Sequence, residues 1–528
     1  MRNFEAPGRS AVYAENGMAA TSHPLASSAA LSILKEGGNA VDAAISAAAV
    51  LAVVEPQMTG IGGDCFAMVK TPAGELTGIN GSGCAALEAS GQWYRDHEFT
   101  HIPLNSAHAV TVTGALKAWD DLHRKFGSVA FERLFNDAIH YAEKGYRVAP
   151  RVAFDWQMEA NVLRNNDVAS RLFLPSGKVP KVGQKMLNLP LANTLKIIAQ
   201  QGVNAFYQGA IAEDIAAAVQ AKGGLLSLDD LAAVSCEWVQ PVSSAYCGFD
   251  VSELPPNGQG IIALMMMNLL HLLDEGDLPA DSAQRYHLEL EAGRVAYAVR
   301  DATVADPTFM QISTEELISL DFAKKLVGQI DKERRNPNIV LPPLPNADTV
   351  YLSVADRDGM MVSFINSIYT PFGSGIVAPQ SGVLLQNRGA CFNVTANHPN
   401  EIGGAKRPMH TIIPAMASKV GEQDIAFGVM GGAYQPMGHL HVLSNVAKYG
   451  FDPQQALDHP RAFWAGDGVI EVETGISEAI KQGLVDRGHR LRPATSPIGG
   501  GQMIVRDHQL GVYIGGSDPR KDGLAIGF

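Results

Sequence analysis

Residues 334–364 read RRNPNIVLPPLPNADTVYLSVADRDGMMVSF, and this stretch decides the fold. Arg334 to Asn346 holds four prolines in thirteen residues, which rules out regular helix or a central strand. An exposed, mobile segment is expected there. The pattern then switches. Thr349–Ala355 is strand-like, Asp356-Arg357-Asp358-Gly359 has turn chemistry, and Met360–Asn366 makes a second strand. A hairpin that opens on a threonine therefore follows a proline-rich approach.

A threonine hydroxyl is a poor nucleophile without a base beside it. At a chain terminus the residue's own α-amine can take the proton. That amine has a reference pKa of about 7.7–8.0, so a small downward shift makes it a usable base. Such chemistry needs a precursor cut before Thr349, between Asp348 and Thr349. On local pattern alone, Thr349 is an ordinary opening residue of a strand. The same holds for Gly428-Val429-Met430-Gly431-Gly432. Consecutive N–H groups of Gly431 and Gly432 could form an oxyanion hole, but a plain strand-to-helix turn explains them too.

Further out, Met18–Ser22 reads as a strand and Leu25–Glu36 as a helix stopped by Gly37-Gly38. Asn39 can cap a helix from Ala40 to about Val54, apolar nearly all round and hence buried, ended by Glu55-Pro56. The glycines of TGIGGDCFAMV (59–69) lack a GK[ST] partner and read as a tight turn against neighbouring backbone. Helical patterns cover 114–145, 188–202, 210–221, 282–304, 314–328, 436–449, 453–458 and 476–487. Strands are expected at 382–385, 425–429, 469–472, 502–505 and 512–514. Strands and helices do not alternate in short βαβ units, so stacked antiparallel sheets covered by helices fit best, an α+β class.

The composition excludes several functions. The 528 residues carry a net charge of −13 and no basic block of five, which argues against a nucleic-acid partner. No apolar run spans a bilayer and the N-terminus shows no signal-peptide core, so neither membrane nor export is expected. Five widely spaced cysteines without a CxxC pair suit a reduced, cytoplasmic setting. His439 and His441 are spaced wrongly for a helical metal pair, and no GxSxG elbow appears.

Seven segments together resemble the γ-glutamyltranspeptidase family of N-terminal nucleophile hydrolases: 33–57 (ILKEGGNAVDAAISAAAVLAVVEPQ), 60–66 (GIGGDCF), 349–364, 372–387 (FGSGIVAPQSGVLLQN), 406–416 (KRPMHTIIPAM), 428–436 (GVMGGAYQP) and 517–520 (SDPR). The resemblance covers essentially the whole chain. It implies a four-layer αββα fold. It also implies self-cleavage into a large piece (1–348) and a small piece (349–528) that share one domain. Thr349 then matches the nucleophile, Gly431 and Gly432 the oxyanion-hole pair, and Ser367 the second hydroxyl beside the nucleophile. No cofactor or metal is implied, and assembly of such heterodimers into a homo-oligomer is left open.

The departures concern glutamate recognition. Ser82 stands where the family has its carboxylate-binding arginine, and Cys391 where it has the amine-binding aspartate. His410-Thr411 replaces a Ser-Ser pair, and Tyr369 replaces an asparagine. An ammonium buried without its partner costs several kcal/mol, so γ-glutamyl donors should bind badly. The branch with this character includes acylases and oxamate amidohydrolase, an enzyme of purine and allantoin breakdown. Oxamate has a carboxylate next to its amide and no α-amine. Its hydrolysis to oxalate and ammonia is the leading expectation, with His410, Thr411, Arg388, Tyr369, Tyr434 and Ser82 as candidate carboxylate-side residues. The alternatives are a γ-glutamyl hydrolase or transpeptidase acting on glutathione, a glutaryl-type acylase, or an unprocessed, non-catalytic metabolite-binding protein.

Overall fold

The computed structural model describes residues 8–273, 276, 278–342, 349–465 and 467–528. Its centre is the hairpin. Val350–Asp356 pairs antiparallel with Met361–Ser367, Val350 opposite Asn366, and every residue of both strands is buried. Gly17–Thr21 flanks one side and Asp64–Lys70 the other. The sheet runs Leu524–Gly527, Gly17–Thr21, Val350–Asp356, Met361–Ser367, Asp64–Lys70, Leu76–Gly81, Glu237–Val239. A second sheet of seven runs Val12–Ala14, Val512–Ser517, Gly500–Asp507, Gln423–Met430, Ala415–Lys419, Phe249–Glu253, Val242–Tyr246. Neighbours in both sheets are antiparallel.

Period-two alternation sorts the hairpin's side chains between two cores. Val350, Leu352, Val354, Val362 and Phe364 pack with the helix Ala40–Val54. Tyr351, Ala355, Met361 and Ile365 face the other sheet and share a core with the helices Gly260–Leu273 and Gln435–Ala447. Between the sheets, Ser353 Oγ donates to Ala426 O at 3.0 Å and the Tyr351 ring fills the space a side chain at Gly428 would need. The result is helices, two stacked sheets and helices, the expected four-layer architecture.

Local signals hold at the site's supports. Asn39 and Asp42 form a capping box, with Asn39 Oδ1 accepting from Val41 N and Asp42 N at 3.0 Å. The hairpin turn's Asp356 accepts from Ala40 N at 2.9 Å and so ties this helix to the hairpin. A side chain at Gly62 would collide with Leu384 O, and one at Gly63 with Ser367 O. The glycine cluster is therefore the close backbone approach read from sequence.

Other expectations are corrected. The helical run at 114–145 breaks into Ala115–Phe126, a short turn at Phe131–Phe135 and Asn136–Lys144, because Ser128 turns back to bond Asp42. The run at 314–328 splits where Ser319 caps a new helix. Residues 382–385 make only isolated bridges, Val377 to Leu384 and Gly62 to Leu385. Residues 334–342 lack regular structure, as expected, but Ile339 is buried and the Asn336 amide is held by Glu291 at 2.8 Å. The rest of the proline-rich segment and Asp348 lie outside the described residues. Among the described residues no helix is long and apolar enough to cross a membrane.

Candidate active site

The hairpin register sets Thr349 opposite Ser367, one step beyond the Val350–Asn366 pair. Thr349 is fully buried, and its Oγ1 donates to Ser367 Oγ at 3.2 Å. That serine oxygen also accepts from Tyr369 N (2.9 Å) and Arg388 Nη2 (3.4 Å). A guanidinium thus stands two hydrogen bonds from the threonine hydroxyl.

Arg388 is fully buried. Its Nη1 donates to Thr411 Oγ1 at 2.7 Å and approaches Cys391 Sγ at 3.8 Å. Its carbon lies 4.3 Å from the centre of the Tyr369 ring. Among the described residues no carboxylate pairs with it, and its Nε has no partner. Tyr369 is no counter-ion, because burial and the neighbouring Cys391 hold its phenol well above the ordinary range. Tyr369 also sits at φ 78, a left-handed conformation that costs a bulky residue about 1–3 kcal/mol. That backbone keeps the ring under the guanidinium.

His410 is occupied differently. Its Nε2 meets Asp64 Oδ2 at 3.0 Å, its Nδ1 accepts from Ile412 N at 3.3 Å, and its ring lies 4.8 Å from that of Phe66. Asp64 is a hub that also accepts from Gly83 N, Gly114 N and Gln386 Nε2. Both His410 nitrogens are engaged inside the protein. Burial, helped by the charge of Arg388, lowers its pKa to about 4. A histidine depressed in the folded state contributes stability that is complete above its unfolded value near 6.5 and lost as pH falls through 4. That contribution is on the order of 3 kcal/mol. Thermal stability should therefore drop between pH 6.5 and 4, and His410→Gln should flatten that part of the curve. An unchanged slope contradicts the assignment.

Gly431 (φ 112) and Gly432 (φ 55) turn the chain from the strand Gln423–Met430 into the helix Gln435–Ala447. Across the sheets Tyr351 faces Gly428 and Ser353 faces Ala426. Both contacts run from the hairpin strand that Thr349 precedes to the strand that ends at Met430, before the glycine pair. Gln259, which sequence reasoning missed, links the two sides: its Nε2 donates to Thr411 O (2.7 Å) and Gly432 O (3.0 Å), while its Oε1 accepts from Arg300 (2.9 Å). The preceding strand Phe249–Glu253 and the helix Gly260–Leu273 could have flagged it only once placed.

Two candidates make no contact with Arg388 among the described hydrogen bonds. Ser82 belongs to a buried knot with Asn80 and Asn257, donating to Asn80 Oδ1 at 2.7 Å. Tyr434 lies past the glycine turn and, with Gly431 and Gly499, lines a cleft of about 340 Å³. Among the described residues no three His, Cys, Asp or Glu side chains are grouped to hold a metal.

Comparison with known proteins agrees with this geometry. The gamma-glutamyltranspeptidase family model matches residues 26–528. The glutathione hydrolase-like YwrD proenzyme of Bacillus subtilis is 35% identical, over 97% of this chain and 98% of that protein. The oxamate amidohydrolase proenzyme of Klebsiella pneumoniae is 33% identical over the same shares. The crystal structure of cephalosporin acylase from Bacillus halodurans superposes with a TM-score of 0.92 and 40% identity, covering 100% of this chain and 99% of that one. The chain belongs to the gamma-glutamyltranspeptidase family of N-terminal nucleophile hydrolases, amidohydrolases made as self-processing proenzymes.

Proposed function

We propose that the chain cuts itself between Asp348 and Thr349 and then hydrolyses amides of a short acyl group that carries a carboxylate, oxamate being the simplest. Thr349 Oγ attacks the carbonyl while its freed α-amine takes the proton. The N–H groups of Gly431 and Gly432 hold the oxyanion. Collapse releases the amine with that proton, and water then hydrolyses the ester on Thr349. Ser367 orients the nucleophile, and Arg388 with Thr411 holds the carboxylate. No cofactor takes part.

The observation that carries this reading is Arg388, a buried cation with no anionic partner among the described residues, standing beside Ser367. A buried charge left unpaired costs several kcal/mol, and a substrate carboxylate removes that cost. Distance selects the acyl length. Hydrogen bonds of 3.2 and 3.4 Å through Ser367 connect the hydroxyl to the guanidinium. A carboxylate bonded directly to the reacting carbonyl, or one carbon away, fits that span with ordinary contacts of about 3 Å at each end. A γ-glutamyl carboxylate, three carbons away, overshoots it when extended, and Cys391 offers its ammonium no anion.

The test is an ammonia-release screen with processed enzyme over oxamate, malonamate, succinamate and glutamine. Turnover is expected to fall as the carboxylate moves away from the amide. A preference for glutamine, or for a chromogenic γ-glutamyl anilide over oxamate, rejects the short-acyl reading.

A further inference from the structure

The Gly431-Gly432 turn needs a reference outside itself. Both residues sit at positive φ, 112 and 55, in a region that glycine enters as readily as its mirror image. Two such residues in succession do not fix by themselves where their N–H groups point. A peptide unit is planar, with its C=O opposed to the N–H that follows. Holding the carbonyls of the turn therefore holds its N–H groups.

Three successive carbonyls each have a donor. Gly431 O accepts from Tyr434 N at 2.9 Å, a bond internal to the turn. Gly432 O accepts from Gln259 Nε2 at 3.0 Å, and Ala433 O from the Tyr297 hydroxyl. The first opposes the Gly432 N–H directly, and the second stops Gly432 from rotating about its own ψ.

The Gln259 amide is fully buried and has one orientation. Arg300 Nη1 donates to its Oε1 at 2.9 Å, and an arginine only donates, so the oxygen faces Arg300 and the nitrogen faces the carbonyls. That nitrogen gives its second proton to Thr411 O at 2.7 Å. The Gln259 backbone N–H donates to His410 O at 3.0 Å, so main chain and side chain grip adjacent residues of one segment. From Thr411 a line of hydrogen-bonded residues runs through Arg388 and Ser367 to Thr349. Arg300 and Tyr297 lie one turn apart on the helix Ala283–Thr303, the guanidinium carbon 4.3 Å from the centre of the Tyr297 ring.

We infer that Gln259, keyed by Arg300, is a positioning residue of the reaction. Its one amide nitrogen sets the spacing between the glycine turn that receives the oxyanion and the Thr411 main chain beside Arg388. This inference rests on the roles proposed above for Gly431 and Gly432, but it does not depend on the length of the acyl group.

The test begins with Gln259→Glu, which is nearly isosteric and keeps the acceptor for Arg300 but sets a carboxylate oxygen against two carbonyls. Rates are measured on the processed fraction, with whichever amide of the screen above is turned over fastest. Contacts to the oxyanion form only after attack, so kcat is expected to fall by about 10- to 100-fold, less than the loss of an oxyanion donor outright. Arg388 still holds Thr411, so KM should stay within about threefold. Arg300→Met leaves the glutamine in place and removes only its key. The freed amide then spends part of its time reversed, and kcat should fall by about 3- to 10-fold. This second variant decides the matter alone if Gln259→Glu does not fold or process. A lowered Tm with wild-type kcat makes Gln259 a structural donor and overturns the inference, as does a change confined to KM. Amide turnover surviving in Thr349→Ala would instead reject the catalytic reading beneath it, and the inference with it.

Discussion

Thr349→Ala is expected to remain one 528-residue chain on a denaturing gel after long incubation and to lose amide hydrolysis by at least about 10⁴-fold, the scale on which a missing nucleophile acts. The same hydroxyl performs two tasks in the proposed chemistry. It opens its own N-terminus, and the amine so released is then the base for every later turnover. Thr349→Ser keeps the hydroxyl and should still process. It loses the γ-methyl that fixes χ1 in a strand opening, so slower processing is the expected result. Intact-mass measurement checks both variants. A Thr349→Ala chain still cut before residue 349 would mean that another group cleaves it.

Arg388→Gln is expected to lower kcat/KM for carboxylated amides by roughly 10²–10³, because a charge-assisted contact in a buried site is worth about 2–4 kcal/mol. Its effect on the unliganded protein should run the other way. Arg388 carries a buried charge with no anionic partner among the described residues, so replacing it should leave Tm unchanged or higher. Arg461 is the contrasting case. It is equally buried but pairs with Asp518 at 2.6 Å; Arg520 also reaches that aspartate at 3.1 Å, so Arg461→Gln should destabilise by about 1.5–3 kcal/mol, the loss of a charge-assisted bond to a carboxylate that keeps its second partner. A stability loss at Arg388 as large as that at Arg461 would make Arg388 a structural ion and remove its assignment to the substrate.

Much of this was legible in the residues, for identifiable reasons. The hairpin, the Asn39 cap and the Gly62-Gly63 approach rest on local rules: period two, a capping side chain, the absence of a Cβ. The helix Gly260–Leu273 was not assigned, because IIALMMMNLLHLL is apolar on every side and has no amphipathic period to detect. The strand Val242–Tyr246 escaped for the opposite reason. Its VSSAY is largely polar, and it closes the edge of the sheet. Within the candidate site, Thr349 and the Gly431-Gly432 pair could be proposed because they sit in segments that carry the family resemblance, and Ser367 because it follows one of them closely. The difference between Arg388 and His410 could not. Both are polar residues in or directly beside a resembling segment, and only the fold shows that His410 is already held by Asp64 and Ile412.

The proposed cut also changes what kind of object the fold is. In the first sheet, residues 350–356 and 361–367 lie between strands from the first 70 residues, and Leu524–Gly527 closes the edge beside Gly17–Thr21. In the second, Val12–Ala14 pairs with Val512–Ser517 and Phe249–Glu253 with Ala415–Lys419. The two products are threaded through one another and cannot part without dismantling both sheets. Before the cut, refolding is an encounter of a chain with itself, indifferent to dilution. Afterwards it requires two different molecules to meet, while the native state is held by the slowness of its unfolding. Maturation by that cut would thus leave an assembly of two chains kept by its unfolding barrier, and its working lifetime would be set by that barrier rather than by an equilibrium.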